Sequence, residues 1–311
     1  CLGKTIDEPI ISIGSVEISL NEALKAWETP LSSVFHREDP KPIRKLEDIS
    51  PYNKGPIIGS LGLKTNPKVL IPVFPGTFEE YDLLRAFKRA GGDANTLIFR
   101  NLTSKDIEES IDEIEKAIKD AEILVVPGGL SIGDEMEGRS TFPTAALSHP
   151  KIFEAIMELK DKRDGLILGI GGGFKTLLDL GLITKEPIDI AMSSSGSHIS
   201  TIKKTKVLSN LSPWFMNLRV GGIYSTIISH REGDLVMEPE TIDKLQVKGQ
   251  IGSLILSKDG KGYKGIDSLT SEDGKVLGML GRPERFGKGT LVNIPDKNPI
   301  NIFKAGVEYF K

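Results

Sequence analysis

From residue 68 to about residue 180, short apolar runs alternate with amphipathic stretches. Val69–Phe74, Thr96–Arg100, Ile123–Val126 and Leu166–Ile170 read as strands, and Glu79–Arg89, Ser104–Lys119, Ile152–Lys162 and Lys175–Leu180 as helices. Continuous apolar strands set between helices imply a parallel sheet covered on both faces, so the expected class is α/β with a doubly wound, mostly parallel sheet. After Ala191 the rhythm becomes strand-like at Thr201–Leu208, Ile223–Ser229, Ile251–Leu256 and Lys275–Gly278, which predicts an antiparallel extension. A helix at Ile302–Phe310 closes the chain.

The first 50 residues follow a different pattern. A strand at Ile10–Ile13 and a helix at Leu20–Trp27 behind the Ser19 cap region are followed by Pro30, Pro40 and Pro42. This piece is too small to bury a core alone and reads as the tail of a preceding domain. Residues 51–66 hold Gly55-Pro56 and Gly59, a linker composition, and 67–311 form the main domain.

Composition narrows the function classes. The 311 residues are 39% hydrophobic and 27% charged, with net charge −3 and no basic run, which gives no footprint for nucleic acid or an anionic membrane. The longest apolar runs are too short to span a bilayer. One cysteine rules out an internal disulfide framework and fits a reducing, cytoplasmic setting. That residue, Cys1, admits three readings: an N-terminal nucleophile, a lipid-bearing first residue, or the first residue of a fragment. Leu2-Gly3-Lys4-Thr5 leads straight into structured-looking sequence, which favours the fragment.

In a parallel sheet, ligands sit beyond the carboxyl ends of the strands. Three turns fall there: Phe74-Pro75-Gly76-Thr77, Pro127-Gly128-Gly129-Leu130-Ser131 and Gly169–Gly173. The last lies between an apolar strand and a helix, the place where many hydrolytic α/β enzymes hold a nucleophile beside backbone N–H groups. Its apex, Gly171, has no side chain. Gly169-x-Gly171 with Asp189 downstream partly imitates a dinucleotide fingerprint, but Phe174 stands where the third glycine belongs. A glycine turn that serves no ligand also remains open, as does binding of glutamine or another small carboxylate by N–H groups of Gly129, Leu130 and Gly172.

With these turns in view, the chain resembles the C-terminal glutamine amidotransferase domain of the large, single-chain phosphoribosylformylglycinamidine synthase. The resemblance is carried by Ile71-Pro72-Val73-Phe74-Pro75-Gly76-Thr77, Glu80-Tyr81-Asp82, Phe99-Arg100-Asn101-Leu102, Pro127-Gly128-Gly129, Gly133-Asp134-Glu135, Lys162 to Ile170, Ser209 to Trp214 and Ser229-His230. Leu2-Gly3-Lys4-Thr5 and Ala26-Trp27-Glu28 look like the end of the synthetase portion. The resemblance implies a flavodoxin-like, class I glutamine amidotransferase fold in a purine-biosynthetic ligase. Glutamine would supply ammonia for the ATP-dependent amidation of formylglycinamide ribonucleotide. ATP and Mg are expected only in the synthetase portion, the implied partner, and no cofactor in this domain.

The resemblance also assigns the chemistry to a cysteine nucleophile, a histidine base and a glutamate that orients it. The corresponding positions are Gly171, Arg282 and Glu284, so only the glutamate persists. The family's Asn-Cys after Pro-Gly-Thr is Phe78-Glu79, a Gln at the elbow is Lys175, and His-Gly-Glu-Gly is His230-Arg231-Glu232-Gly233. Glycine offers no nucleophile, and a permanently protonated guanidinium has no lone pair with which to act as base. The expectation is a degenerate domain without glutaminase activity. Two alternatives stand beside it: a non-catalytic structural or regulatory module that docks on the synthetase portion or binds a small carboxylate, and an enzyme of altered chemistry using Lys175 or His230. Arg282 and Glu284 are expected to form a local ion pair, Trp214 to lie in the core, and His36, His149, His198 and His230 to show no metal-binding spacing.

Overall fold

The computed structural model describes residues 3–28, 46–55, 62–129, 141–192, 198–230, 232–257, 260, 262–294 and 298–311. Contacts divide the chain into two units, Cys1–Lys41 and Pro42–Lys311. In the first, β1 (Ile10–Ile13) and β2 (Val16–Ser19) form an antiparallel hairpin that runs directly into α1 (Leu20–Glu28). Ser19 caps that helix as its sequence predicts, its Oγ accepting from the Glu22 N–H at 3.1 Å.

The larger unit opens with β3 (Lys68–Val73), α2 (Glu80–Ala90), β4 (Asp93–Ile98), α3 (Ser104–Asp120) and β5 (Ile123–Val126). It continues through α4 (Thr141–Leu147), α5 (Pro150–Asp161), β6 (Leu166–Ile170), α6 (Gly172–Asp179), β7 (Asp189–Met192) and β8 (Ile199–Val207). Then come β9 (Ile223–His230), β10 (Glu232–Val236), α7 (Pro239–Val247), β11 (Ile251–Leu256), β12 (Tyr263–Thr270), β13 (Val276–Met279) and α8 (Ile302–Glu308). A nine-stranded sheet runs β4-β3-β5-β6-β13-β12-β11-β8-β9, and β7 pairs with β10 in a separate ribbon. The strands from β4 to β13 are parallel and those from β12 to β9 antiparallel. The parallel part has the flavodoxin-like order, with its switch point between β3 and β5.

Alternation along the strands builds a core on each face. Leu70 of β3 and Ile167 of β6 point into one, with Ile114 and Ile118 of α3 and Ile152 and Ile156 of α5. Val69, Ile71, Leu166 and Leu168 point into the other, with Leu83 and Phe87 of α2 and Ile302 and Phe303 of α8. Trp214 lies wholly inside this second core, edge-on to Phe87, and its Nε1 donates to the Lys275 carbonyl at 3.1 Å.

Several elements depart from the expected pattern for identifiable reasons. The strand expected at Thr96–Arg100 is Asp93–Ile98, because β4 is an edge strand mostly outside the core, with Ala94 its one fully buried residue and Ile98 exposed, while buried Phe99 lies just beyond its end. Strand β12 is buried yet carries Asp267, Ser268 and Thr270, which breaks its apolar signature. Helix α6 starts at Gly172 rather than Lys175, its first turn being made of glycines of low helix propensity. Residues 46–52 pack into the larger unit: Leu46 and Ile49 join its core, and Tyr52 donates its N–H to the Leu208 carbonyl at 2.7 Å. Among the described residues no helix is long and apolar enough to cross a membrane.

Replacing Trp214 with alanine removes the largest fully buried side chain from a core that cannot close the space. We expect a loss of about 3–5 kcal/mol in urea unfolding, with the native sheet content retained.

Candidate active site

Four turns at the carboxyl edge of the sheet converge on one point. After β3 the chain turns through Phe74-Pro75-Gly76-Thr77, where the Thr77 Oγ1 accepts from the Phe74 N–H at 3.1 Å, and delivers Glu79 at the N-terminus of α2. After β5 comes Pro127-Gly128-Gly129, whose Gly129 pairs with Thr77 in an isolated antiparallel bridge. After β6 the chain bends at Gly171 into α6, and after β13 it passes Gly281 into a 3-10 turn at Pro283–Arg285.

The bend has the conformation of a nucleophile elbow. Gly171 has φ +56° and ψ −114°, a region in which an L side chain is strained, and its N–H donates to the Met279 carbonyl at 2.8 Å. The space above the bend is filled. A β-carbon placed on Gly171 would lie 2.6 Å from Arg282 Nη2, 2.7 Å from Cζ and 2.8 Å from Nη1, so the guanidinium sits where a nucleophilic side chain would project.

Arg282 is only 5% exposed and needs a counter-charge. The expected partner was Glu284. The structure instead pairs Arg282 Nη1 with Glu79 Oε2, while Arg285 Nη2 lies 3.2 Å from Glu79 Oε1. Glu79 is itself 1% exposed, and its carboxylate makes no capping bond to its own helix. Arg282 Nη2 also donates to the Ser229 carbonyl at 3.2 Å, and its backbone N–H to the Ile227 carbonyl at 2.8 Å. Burial pulls the Arg282 pKa down to about 10, which leaves the group charged at neutral pH.

Glu284, two residues beyond Arg282, is left out of this pairing. Glu284 is 2% exposed, and neither carboxylate oxygen has a hydrogen-bond partner among the described residues. Burial raises its pKa to about 7, opposed by the charge of Arg282. Behind it, buried Asp267 fixes the approach to Arg282 by accepting from the Gly281 N–H at 2.9 Å and from the Ser253 and Thr205 hydroxyls. Burial raises the Asp267 pKa to about 6 despite these bonds.

Of the candidate residues, the structure brings Gly171, Gly172, Arg282, Glu284 and the Gly129 turn to this edge. Leu130 and the Gly133-Asp134-Glu135 motif lie outside the described residues, as do Cys1 and His36. His230 ends β9 opposite Ile199, so its backbone follows the Ser229 carbonyl that Arg282 grips; its side chain lies outside the described part. His198 Nε2 is 3.1 Å from Ser229 Oγ. Among the described residues no group of three or more His, Cys, Asp and Glu is placed to hold a metal ion. Asp189 begins β7 in the separate ribbon, and Phe174 is fully buried against β13, crowding the position where a β-carbon on Gly278 would stand. The residue that the chain pattern left without a role is Glu79. Its one signal was that a carboxylate replaces cysteine at one turn while a guanidinium replaces histidine at another.

The stranded carboxyl makes a pH prediction with a definite sign. The unfolded Glu284 ionises near its ordinary value of 4.5, whereas the folded one holds its proton until about pH 7. The stability this group contributes is present in full below pH 4.5 and is lost as pH rises through 7. Glu284→Gln has no such loss. Relative to the parent it gains on the order of 3 kcal/mol between about pH 4.5 and pH 8; urea unfolding across that range measures it, and parallel profiles contradict the assignment.

The sequence aligns with phosphoribosylformylglycinamidine synthase subunit PurQ of Pyrococcus horikoshii at 26% identity, over 78% of this chain and 99% of that protein. The subunit PurQ of Campylobacter jejuni is 29% identical, over 73% and 91% respectively. In three dimensions the chain superposes on a chain of the Thermotoga maritima PurLQS structure with a TM-score of 0.57 and 22% identity, covering 79% of this chain and all of that one, a likeness of fold. The family model for the CobB/CobQ-like glutamine amidotransferase domain matches residues 66–310. The chain therefore belongs to the family of CobB/CobQ-like glutamine amidotransferase domains.

Proposed function

We propose that this chain is the glutamine amidotransferase-like domain of a phosphoribosylformylglycinamidine synthase, that it no longer hydrolyses glutamine, and that it docks on the synthetase portion of that enzyme. The PurQ relatives, matched over nearly their whole length, support the placement in purine biosynthesis. The observation that carries the loss of activity is the Arg282 guanidinium lying over Gly171. It removes three requirements together. The bend carries no thiol, the base position holds a permanent cation, and the volume a glutamine amide must enter is occupied by side-chain atoms.

A water molecule cannot easily substitute for the thiol. It would have to reach the carbonyl past the guanidinium; the Glu79 carboxylate there is paired with Arg282 and Arg285, and Glu284 is held protonated below about pH 7. Loss of a triad nucleophile alone lowers turnover by about a million-fold, and loss of the base then adds little because the members act as a unit. The ammonia for amidation would then be drawn from solution.

With saturating glutamine, glutamate release is expected to stay at buffer background from the whole protein. Release above background that disappears in Glu284→Ala would overturn the reading. A restoration series tests the geometry separately. Gly171→Cys with Arg282→His clears the guanidinium but leaves the buried Glu79 carboxylate with Arg285 alone, and we expect it to be less stable than the parent by roughly 3 kcal/mol. Adding Glu79→Cys removes that charge and is expected to recover most of the loss in urea unfolding. Glutamate release from the triple variant reports whether the glutamine pocket survives.

A further inference from the structure

We infer that Glu79 is an internal ligand: its carboxylate occupies a carboxylate-binding site made by Arg282 and Arg285 at the elbow and keeps that site closed to small carboxylates from solution. The inference deepens the non-hydrolytic reading of the same site and rests on it.

The two carboxylate oxygens of Glu79 go to different guanidinium groups, Oε2 to Arg282 and Oε1 to Arg285, as those of a bound anion would. The receptor and its occupant come from distant parts of the chain, Glu79 and Arg285 being 206 positions apart. The receptor therefore does not depend on the local geometry of the turn that supplies the carboxylate. The pair lies directly against Gly128, where a β-carbon would collide with both Glu79 Oε2 and Arg282 Nη1, so the site is a cavity shaped by backbone and filled by side chain. Arg282 Nη1 meets Glu79 Oε2 as an ion pair with no hydrogen bond between them, and its Nε is likewise buried without a hydrogen-bond partner among the described residues.

A glutamate at position 79 is not explained by its own helix. It caps nothing, and an uncharged side chain would suit a position that is 1% exposed. Its carboxylate is accounted for by the two arginines. Removing the side chain beyond Cβ opens a space against Gly128 and leaves the Arg282 and Arg285 guanidinium groups without that carboxylate. Formate or acetate fits this space by size and charge. In the native chain such ions must displace a tethered competitor, and this keeps the site closed.

The probe is formate, compared with chloride at equal ionic strength, and the readout is thermal unfolding. For Glu79→Ala the melting temperature is expected to start below that of the parent and to climb with formate to a plateau, by about 2–5 °C. The parent and the Glu79→Ala/Arg282→Gln double variant are expected not to respond. An equal response in all three proteins, or none in Glu79→Ala, overturns the proposal. If Glu79→Ala does not fold in chloride, it is refolded in formate. Native circular dichroism recovered only in formate supports the proposal, and failure in both salts defeats it. The melting experiment is independent of turnover, so the two failures are distinguishable: glutaminase activity would sink the functional reading, and a salt-indifferent variant would sink this inference alone.

Discussion

An arginine held inside a protein must be matched by a negative charge, and here that demand shapes the whole carboxyl edge of the sheet. Arg282 cannot reach bulk water, and its counter-ion is supplied by Glu79 from the turn after β3. Breaking such a pair by removing one member leaves an uncompensated buried charge and costs about 3–5 kcal/mol. Each residue thus makes the other necessary. The pair also ties the turn after β3 to the segment after β13, two stretches that the sheet alone brings only near one another.

The rest of the site follows from where that guanidinium lies. It fills the volume above Gly171, so the absence of a side chain at the bend leaves a packed site instead of a void. Glu284 makes no ion pair with it and has no hydrogen-bond partner for either oxygen among the described residues, and burial favours its protonated form despite the charge of Arg282. Meanwhile the elbow keeps its strained backbone, fixed by the Gly171 N–H bond to Met279. That bond belongs to the parallel sheet, whose stability rests on the cores of its two faces and not on any catalytic group. The frame and the chemistry are held by different interactions, and one can persist when the other is gone.

Much of the frame could be read along the chain because its strands are buried on both faces. Ile123–Val126 and Leu166–Ile170 are unbroken apolar runs and Ile251–Leu256 is interrupted only by Gly252 and Ser253, and the structure places strands at those same residues. The pattern failed where burial and polarity part company. Strand β12 hides Asp267 and Ser268 inside the protein because Thr205, Ser253 and the Gly281 N–H satisfy them across neighbouring strands, and no local signal announces those partners. Strand β4, at the sheet edge, shows the opposite fault: its residues are mostly outside the core, so the nearest apolar cluster drew the expected strand too far along the chain.

The sequence by itself determined the class of sheet, the position of the bend and the absence of a side chain at its apex, because these depend on periodicity and on what a single residue carries. It also held both members of the central ion pair in plain view. It did not say that they meet. Glu284 is two residues from Arg282 and looked like its natural partner, yet direction matters more than spacing: Arg282 points over the elbow, and the carboxylate it finds there comes from the turn after β3. Only the folded sheet, by laying β3, β5, β6 and β13 side by side, decided which charges share the interior.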